Sequence, residues 1–117
     1  MPSLALSDGY TRETLIPAGE TYPETWIVYR PMLAAERRRL ALQTVRLDRH
    51  GEAGRRAAAS LVSAALAARL VSWELFDGQG ELLEIRPETI GELDPELFRR
   101  IYETVTRFED EESSAKN

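Results

Sequence analysis

Residues 70–102, LVSWELFDGQGELLEIRPETIGELDPELFRRIY, set the fold class. The stretch Leu70–Phe76 is an apolar run around Trp73, the composition of a strand or extended segment. A regular strand would place Val71, Trp73 and Leu75 on one face. Asp77-Gly78-Gln79-Gly80 then offers a tight turn whose glycines can take positive φ, with Leu82, Leu83 and Ile85 as the return arm of a hairpin. A short helix starts at Pro87, and a better-marked one at Asp94-Pro95. There the aspartate can accept the free N–H groups of the first turn, and the proline gives up an N–H that needs no partner. Leu97, Ile101, Val105 and Phe108 follow at steps of four, four and three, one apolar stripe on a helix. Extended segment, turn and helix in this order specify an α+β domain rather than a helical bundle.

Working outward, the same alternation of element types continues. Leu4 and Leu6 alternate with polar neighbours before a Ser7-Asp8-Gly9 turn, and Thr14-Leu15-Ile16 is a second short apolar run closed by Pro17-Ala18-Gly19. Glu24–Arg30 is the strongest strand, with Trp26, Val28 and Arg30 on one face and Ile27 and Tyr29 on the other, and Pro31 ends it. From Met32 the period becomes helical: Leu33, Arg37, Leu40, Ala41, Thr44 and Val45 share a mostly apolar face. His50-Gly51-Glu52 breaks this helix, and a second one spans Gly54–Leu70 with Ala58, Leu61, Val62, Ala65 and Arg69 on one stripe. Its alanine-rich content favours helix and allows close approach, so this segment is expected at the centre of the packing or at an oligomer contact. The expected organisation is a single α+β domain over residues 1–108, with N-terminal strands or a hairpin, two central helices, the short hairpin around Asp77–Gly80 and a C-terminal helix. A disordered acidic tail is expected over 109–117.

Charge is unevenly placed. Residues 30–69 hold nine arginines against three acidic residues, a net of +6, whereas residues 70–117 hold five basic against thirteen acidic residues, a net of −8. A basic middle beside an acidic C-terminal half implies intramolecular pairing or self-association, or an acidic external partner. Without cysteine there is no disulfide, thiolate nucleophile or cysteine-ligated metal. No apolar run approaches the roughly 20 residues of a membrane span, and the N-terminus does not read as a secretory signal, so the expected location is the cytoplasm.

The residue types that carry chemistry are not arranged to do it. His50 is the only histidine, and a Ser-His-Asp arrangement would need Ser60, Ser63 or Ser72 beside it with a carboxylate behind. Gly78-Gln79-Gly80 lacks the third glycine and the Lys-Ser/Thr pair of a phosphate loop. The acidic residues at 109–112 are a run, not a liganding loop. No catalytic residue, metal site or cofactor is therefore assigned. Nucleic-acid binding through Arg37–Arg39 and Arg55–Arg56 fits the preference of arginine for phosphate, but the acidic pI near 5.0 opposes it.

Taken together, Tyr29-Arg30-Pro31, Val71-Ser72-Trp73-Glu74-Leu75, Asp77-Gly78-x-Gly80 and Leu93-x-Pro95-x-Leu97 resemble the tail assembly chaperone-like family of tailed phages and prophages. Asp8-Gly9-Tyr10-Thr11 and Ile16-Pro17 fit the opening of some of these chains, while Glu74 stands where aspartate is common and Gly51–Arg56 is shorter and more basic than in the family. The resemblance implies a non-enzymatic protein of virion morphogenesis that binds the tape measure protein and keeps that long helical chain soluble until tube subunits polymerise around it. Arg37, Arg38, Arg55 and Arg56 are the expected partner-binding residues. The alternatives are a structural virion component, such as a minor tail or head–tail connector subunit, and an arginine-mediated nucleic-acid regulator. A homo-oligomer is compatible with each.

Overall fold

In a computed structural model, which describes residues 11–107, the backbone groups of the N-terminal segment are satisfied first by a hairpin. Strand β1 (Arg12–Ile16) pairs antiparallel with β2 (Thr25–Tyr29), and β2 pairs antiparallel with β3 (Leu70–Trp73), giving a three-stranded sheet in the order β1-β2-β3. The β-branched and aromatic run TWIVY makes the central strand, the position where both edges must donate and accept. Thr25, Ile27 and Tyr29 turn to the buried face, and Trp26 and Val28 to the other, as the alternation predicts. The expected strand at Leu4–Leu6, the Ser7-Asp8-Gly9 turn, Phe108 and the 109–117 tail all lie outside the described residues.

Between β2 and β3 runs a helical arm of α1 (Ala34–Asp48) and α2 (Gly51–Arg69). The elbow depends on two glycines. Gly51 takes φ +74°, and a Cβ on Gly54 would lie 1.9 Å from the Leu47 carbonyl oxygen of α1. The antiparallel helices can therefore close only where the second one has no side chain. The α2 helix is the hub of the fold: α1, α3 (Pro87–Gly91) and α4 (Pro95–Thr106) all pack against it. Ala58, Ser63 and Leu66 are buried, and Leu61, Val62 and Ala65 are half-buried around them. The alanine-rich segment is thus the packing centre that its composition implies.

Three expectations need correction. The α1 face is narrower than its periodicity suggests: Leu40 is buried, but Leu33, Ala41 and Val45 are exposed. In β3, the register shifts between Val28 and Tyr29, so that Val28 faces Ser72 while Tyr29 faces Leu70. Val71 is the extra residue and points outward, and Leu70, Trp73 and Leu75 point inward. Finally, the return arm forms but is shorter than Leu82–Ile85: Leu82 bridges Phe76, Leu83 N–H donates to Leu75 O at 2.8 Å, and the pairing stops there. The turn closes through Gly80 N–H to Asp77 O at 3.0 Å and Asp77 N–H to Glu81 O at 2.8 Å, with Gly80 at φ +82°. Trp73 also fixes this return segment, its indole Nε1–H donating to Leu83 O at 2.9 Å.

The inner core joins Ile16, Ile27 and Tyr29 of the sheet to Leu66 of α2, Ile90 of α3 and Leu97, Ile101 and Val105 of α4. Asp94 caps α4 as expected, its Oδ1 accepting from Glu96 N–H at 2.9 Å and Leu97 N–H at 3.3 Å. Its Oδ2 accepts from the Thr21 hydroxyl, which ties the β1–β2 loop to the same helix start. Met32 N–H donates to Val105 O at 3.1 Å, so the end of α4 meets the entry to the arm.

Two predictions follow from these contacts. Helix propensity alone would make Gly54→Ala stabilising by about 1 kcal/mol. The Leu47 carbonyl makes it destabilising by about 1–3 kcal/mol instead, which urea unfolding will read as a lowered midpoint. The Thr21 hydroxyl bond, followed by the two backbone N–H bonds, holds the Asp94 carboxyl below its ordinary value. A depressed folded-state pKa contributes stability above the unfolded value and loses it as pH falls through the folded one. Unfolding midpoints across an acid pH series will therefore fall less steeply for Asp94→Asn than for the parent chain.

Candidate partner-binding surface

Helix α1 carries apolar side chains on two opposite faces. Leu40 is buried, and around it Glu36, Arg37, Thr44 and Leu47 are half-buried. About 140–200° round the helix, Arg38, Leu42, Val45 and Arg49 follow one another at i, i+4, i+7 and i+11 and lie in water. Leu42 is 53% exposed and Val45 51%. An apolar pair flanked by one arginine at each end is a stripe of the kind that packs on an apolar face with acidic ends.

The four arginines expected to bind a partner do not form one group. Arg37 turns inward, its Nη1 donating to the Thr106 carbonyl at 2.7 Å, where it holds the end of α4 against α1. Arg38 is exposed. Arg55 and Arg56 lie in the second turn of α2, beside the opposite end of α1 and on the order of 15 Å from Arg38 by helical rise. Arg56 lies 3.8 Å from Glu52, with both side chains in solvent, a pair of little energetic weight. Leu42, Val45 and Arg49 are the surface residues that periodicity alone misses, because one helical stripe had already been assigned to the core and Val45 was counted in it.

Among the described residues, the charge asymmetry of the sequence survives folding. Arg69 pairs with Glu36 at 2.5 Å, a half-buried bridge between α1 and the end of α2. Glu96, Arg99, Arg100, Glu103 and Arg107 pair among themselves along α4. Each of these bridges joins two residues of the same half of the chain. Among the described residues, Arg38, Arg39, Arg46, Arg49 and Arg55 have no ion-pair partner. The arm is left as a basic projection.

A second surface with exposed apolar side chains is the outer face of the sheet. Register places Leu15 beside Trp26 and Glu13 beside Val28, with Ser72 next to Val28 on β3. Glu74 N–H donates to Trp26 O at 3.0 Å, which continues the row. An antiparallel sheet with one wet face usually shows polar residues there. Here Leu15 is 45% exposed and the bulged Val71 46%, with Trp26 and Val28 half-buried between them.

Sites for chemistry are not assembled. His50 sits at the arm's elbow, while Ser60 and Ser63 lie roughly 15–20 Å along α2 and Ser72 lies on the sheet. Ser60 and Ser63 line an open groove with Pro87, Glu88 and Gly91, without a histidine. Gly78 and Gly80 belong to the hairpin turn, where Asp77 Oδ1 accepts from Gln79 and Glu81 N–H. Among the described residues, no group of three or more His, Asp or Glu is placed to hold a metal ion, and no helix is long and apolar enough to cross a membrane. Nor does any buried side-chain polar atom among them lack a hydrogen-bond partner. No protein-family model, curated protein or solved structure matches this chain.

The two neighbouring arginines separate structural from surface roles. Arg37→Ala is expected to cost about 1 kcal/mol or more by freeing the Thr106 carbonyl, whereas Arg38→Ala should leave stability within about 0.5 kcal/mol of the parent. Thermal or urea unfolding of the pair measures the contrast.

Proposed function

We propose that this chain is a non-enzymatic tail assembly protein of a tailed phage or prophage. In this reading it acts in the cytoplasm of the bacterial host as a chaperone-type binding module for the tape measure protein. The reading rests on the order of short motifs from Tyr29-Arg30-Pro31 through Val71–Leu75 and Asp77–Gly80 to Leu93–Leu97, which resembles that of tail assembly chaperone-like proteins. The exposed Arg38-Leu42-Val45-Arg49 stripe supports it, since a helix face with two apolar side chains and terminal arginines suits an amphipathic partner helix with acidic flanks. Leu42 and Val45 would cover apolar positions of the partner that otherwise drive its aggregation, and the arginines would fix register and hasten encounter.

Co-expression with a tape measure protein provides the test. The partner should remain in the soluble fraction with the parent chain and move to the pellet with Leu42→Asp/Val45→Asp, while Arg55→Ala/Arg56→Ala has the smaller effect. Equal solubility with and without the chain would overturn the reading, as would finding the chain at stoichiometric levels in purified virions, which would make it a structural component.

A further inference from the structure

The two surfaces with exposed apolar side chains are complementary to each other. The sheet's outer face is flat and apolar at Leu15, Trp26, Val28 and Val71, with a carboxylate on each edge strand side, Glu13 on β1 and Glu74 just after β3. The arm stripe is convex and apolar at Leu42 and Val45, with Arg38 and Arg49 at its ends. By strand spacing and rise, Glu13 and Glu74 lie about 12 Å apart diagonally across the face. The α-carbons of Arg38 and Arg49 lie about 17 Å apart along α1, a difference that two long arginine side chains span. Within one chain, Leu40 turns the inner face of α1 onto α2, so the stripe faces away from its own core.

We infer that the arm of one copy docks on the outer sheet face of a second copy, with Leu42 and Val45 on the Leu15–Trp26–Val28 surface and Arg38 and Arg49 paired to Glu13 and Glu74. A single such contact is heterologous and would leave one stripe and one face open. Reciprocal exchange in a closed pair covers both stripes and both faces, so the assembly is a two-fold dimer. The contact gives the sheet the second layer that a domain of this class needs on an apolar face, and it places the uncompensated positive charge of the arm on acidic groups. The pair and the partner helix of the proposed function would use the same arm stripe and so compete for it, but the pair is tested on the purified chain alone, so its outcome is read separately from that of tail assembly.

Sedimentation velocity on the full chain, with circular dichroism to confirm folding, tests the pair. The parent should sediment at twice the monomer mass, and both Leu42→Glu/Val45→Glu (arm variant) and Leu15→Arg/Val71→Arg (face variant) at the monomer mass. All four positions are exposed in the single chain, so these variants should fold. Mixing the arm variant with the face variant restores one intact contact and should restore a dimer. Arg38→Glu/Arg49→Glu should be monomeric and be returned to dimer by Glu13→Arg/Glu74→Arg in the same chain. A monomeric parent, a dimeric arm variant or a mixture that stays monomeric would each overturn the proposal. A dimeric arm variant would indicate a face-to-face contact, and a dimeric face variant an arm-to-arm contact, and either would overturn the proposal.

Discussion

Everything in this fold hangs on the pairing of β2 with β3, which sets Tyr29 opposite Leu70 and closes the whole helical arm as one loop. Closing so long a connection costs entropy that grows only slowly with its length, and the arm's own helices shorten the distance the chain must search. Burial offsets the cost. Tyr29, Ile27, Leu70 and Trp73 enter the core together, and Arg30 N–H donates to Arg69 O at 2.7 Å where the strands leave the helices. A two-stranded hairpin of β1 and β2 would be marginal by itself. The third strand gives the sheet an inner face broad enough for α2, α3 and α4 to cover.

The elements were largely legible in the sequence because local chemistry and tertiary demand agree in most of them. TWIVY suits a central strand, the Asp94-Pro95 pair starts a helix, and Leu97, Ile101 and Val105 are buried on the stripe their spacing describes. The failures have physical causes. Alternation predicts that Val71 shares a face with Trp73, but a bulge is an extra residue that no periodic pattern encodes, and here it turns Val71 to solvent. Leu82, Leu83 and Ile85 look like a return strand, yet the pairing stops at Leu83 because the Trp73 indole takes the Leu83 carbonyl that a ladder would use. In α1 the apolar positions serve two faces, so a single-stripe reading assigns Val45 to the wrong one.

The candidate surface was legible in part. Clustered arginines do mark the arm, but their sequence neighbours separate in space because one helical step of about 100° sends Arg37 inward and Arg38 outward. Intramolecular pairing was a reasonable expectation from the +6 and −8 halves. Among the described residues, the bridges compensate charges locally, along α4 and between Glu36 and Arg69, and the acidic run at 109–112 lies outside them. What a linear reading could not supply is the outer sheet face, since it is composed of residues from three strands and acquires its apolar character only when register places Leu15 beside Trp26 and the bulge adds Val71.

The bond from Met32 N–H to Val105 O has a consequence for biosynthesis. A chain made from its N-terminus produces β1, β2 and the arm before any of α4 exists, and the inner face of the sheet must wait for Leu97, Ile101 and Val105 to cover it. Throughout that interval the nascent chain holds the two helices of the arm beside an uncovered apolar strand pair. The order of synthesis thus makes the last helix the step that commits the domain, and any partner that engages the arm can do so before the body behind it has closed.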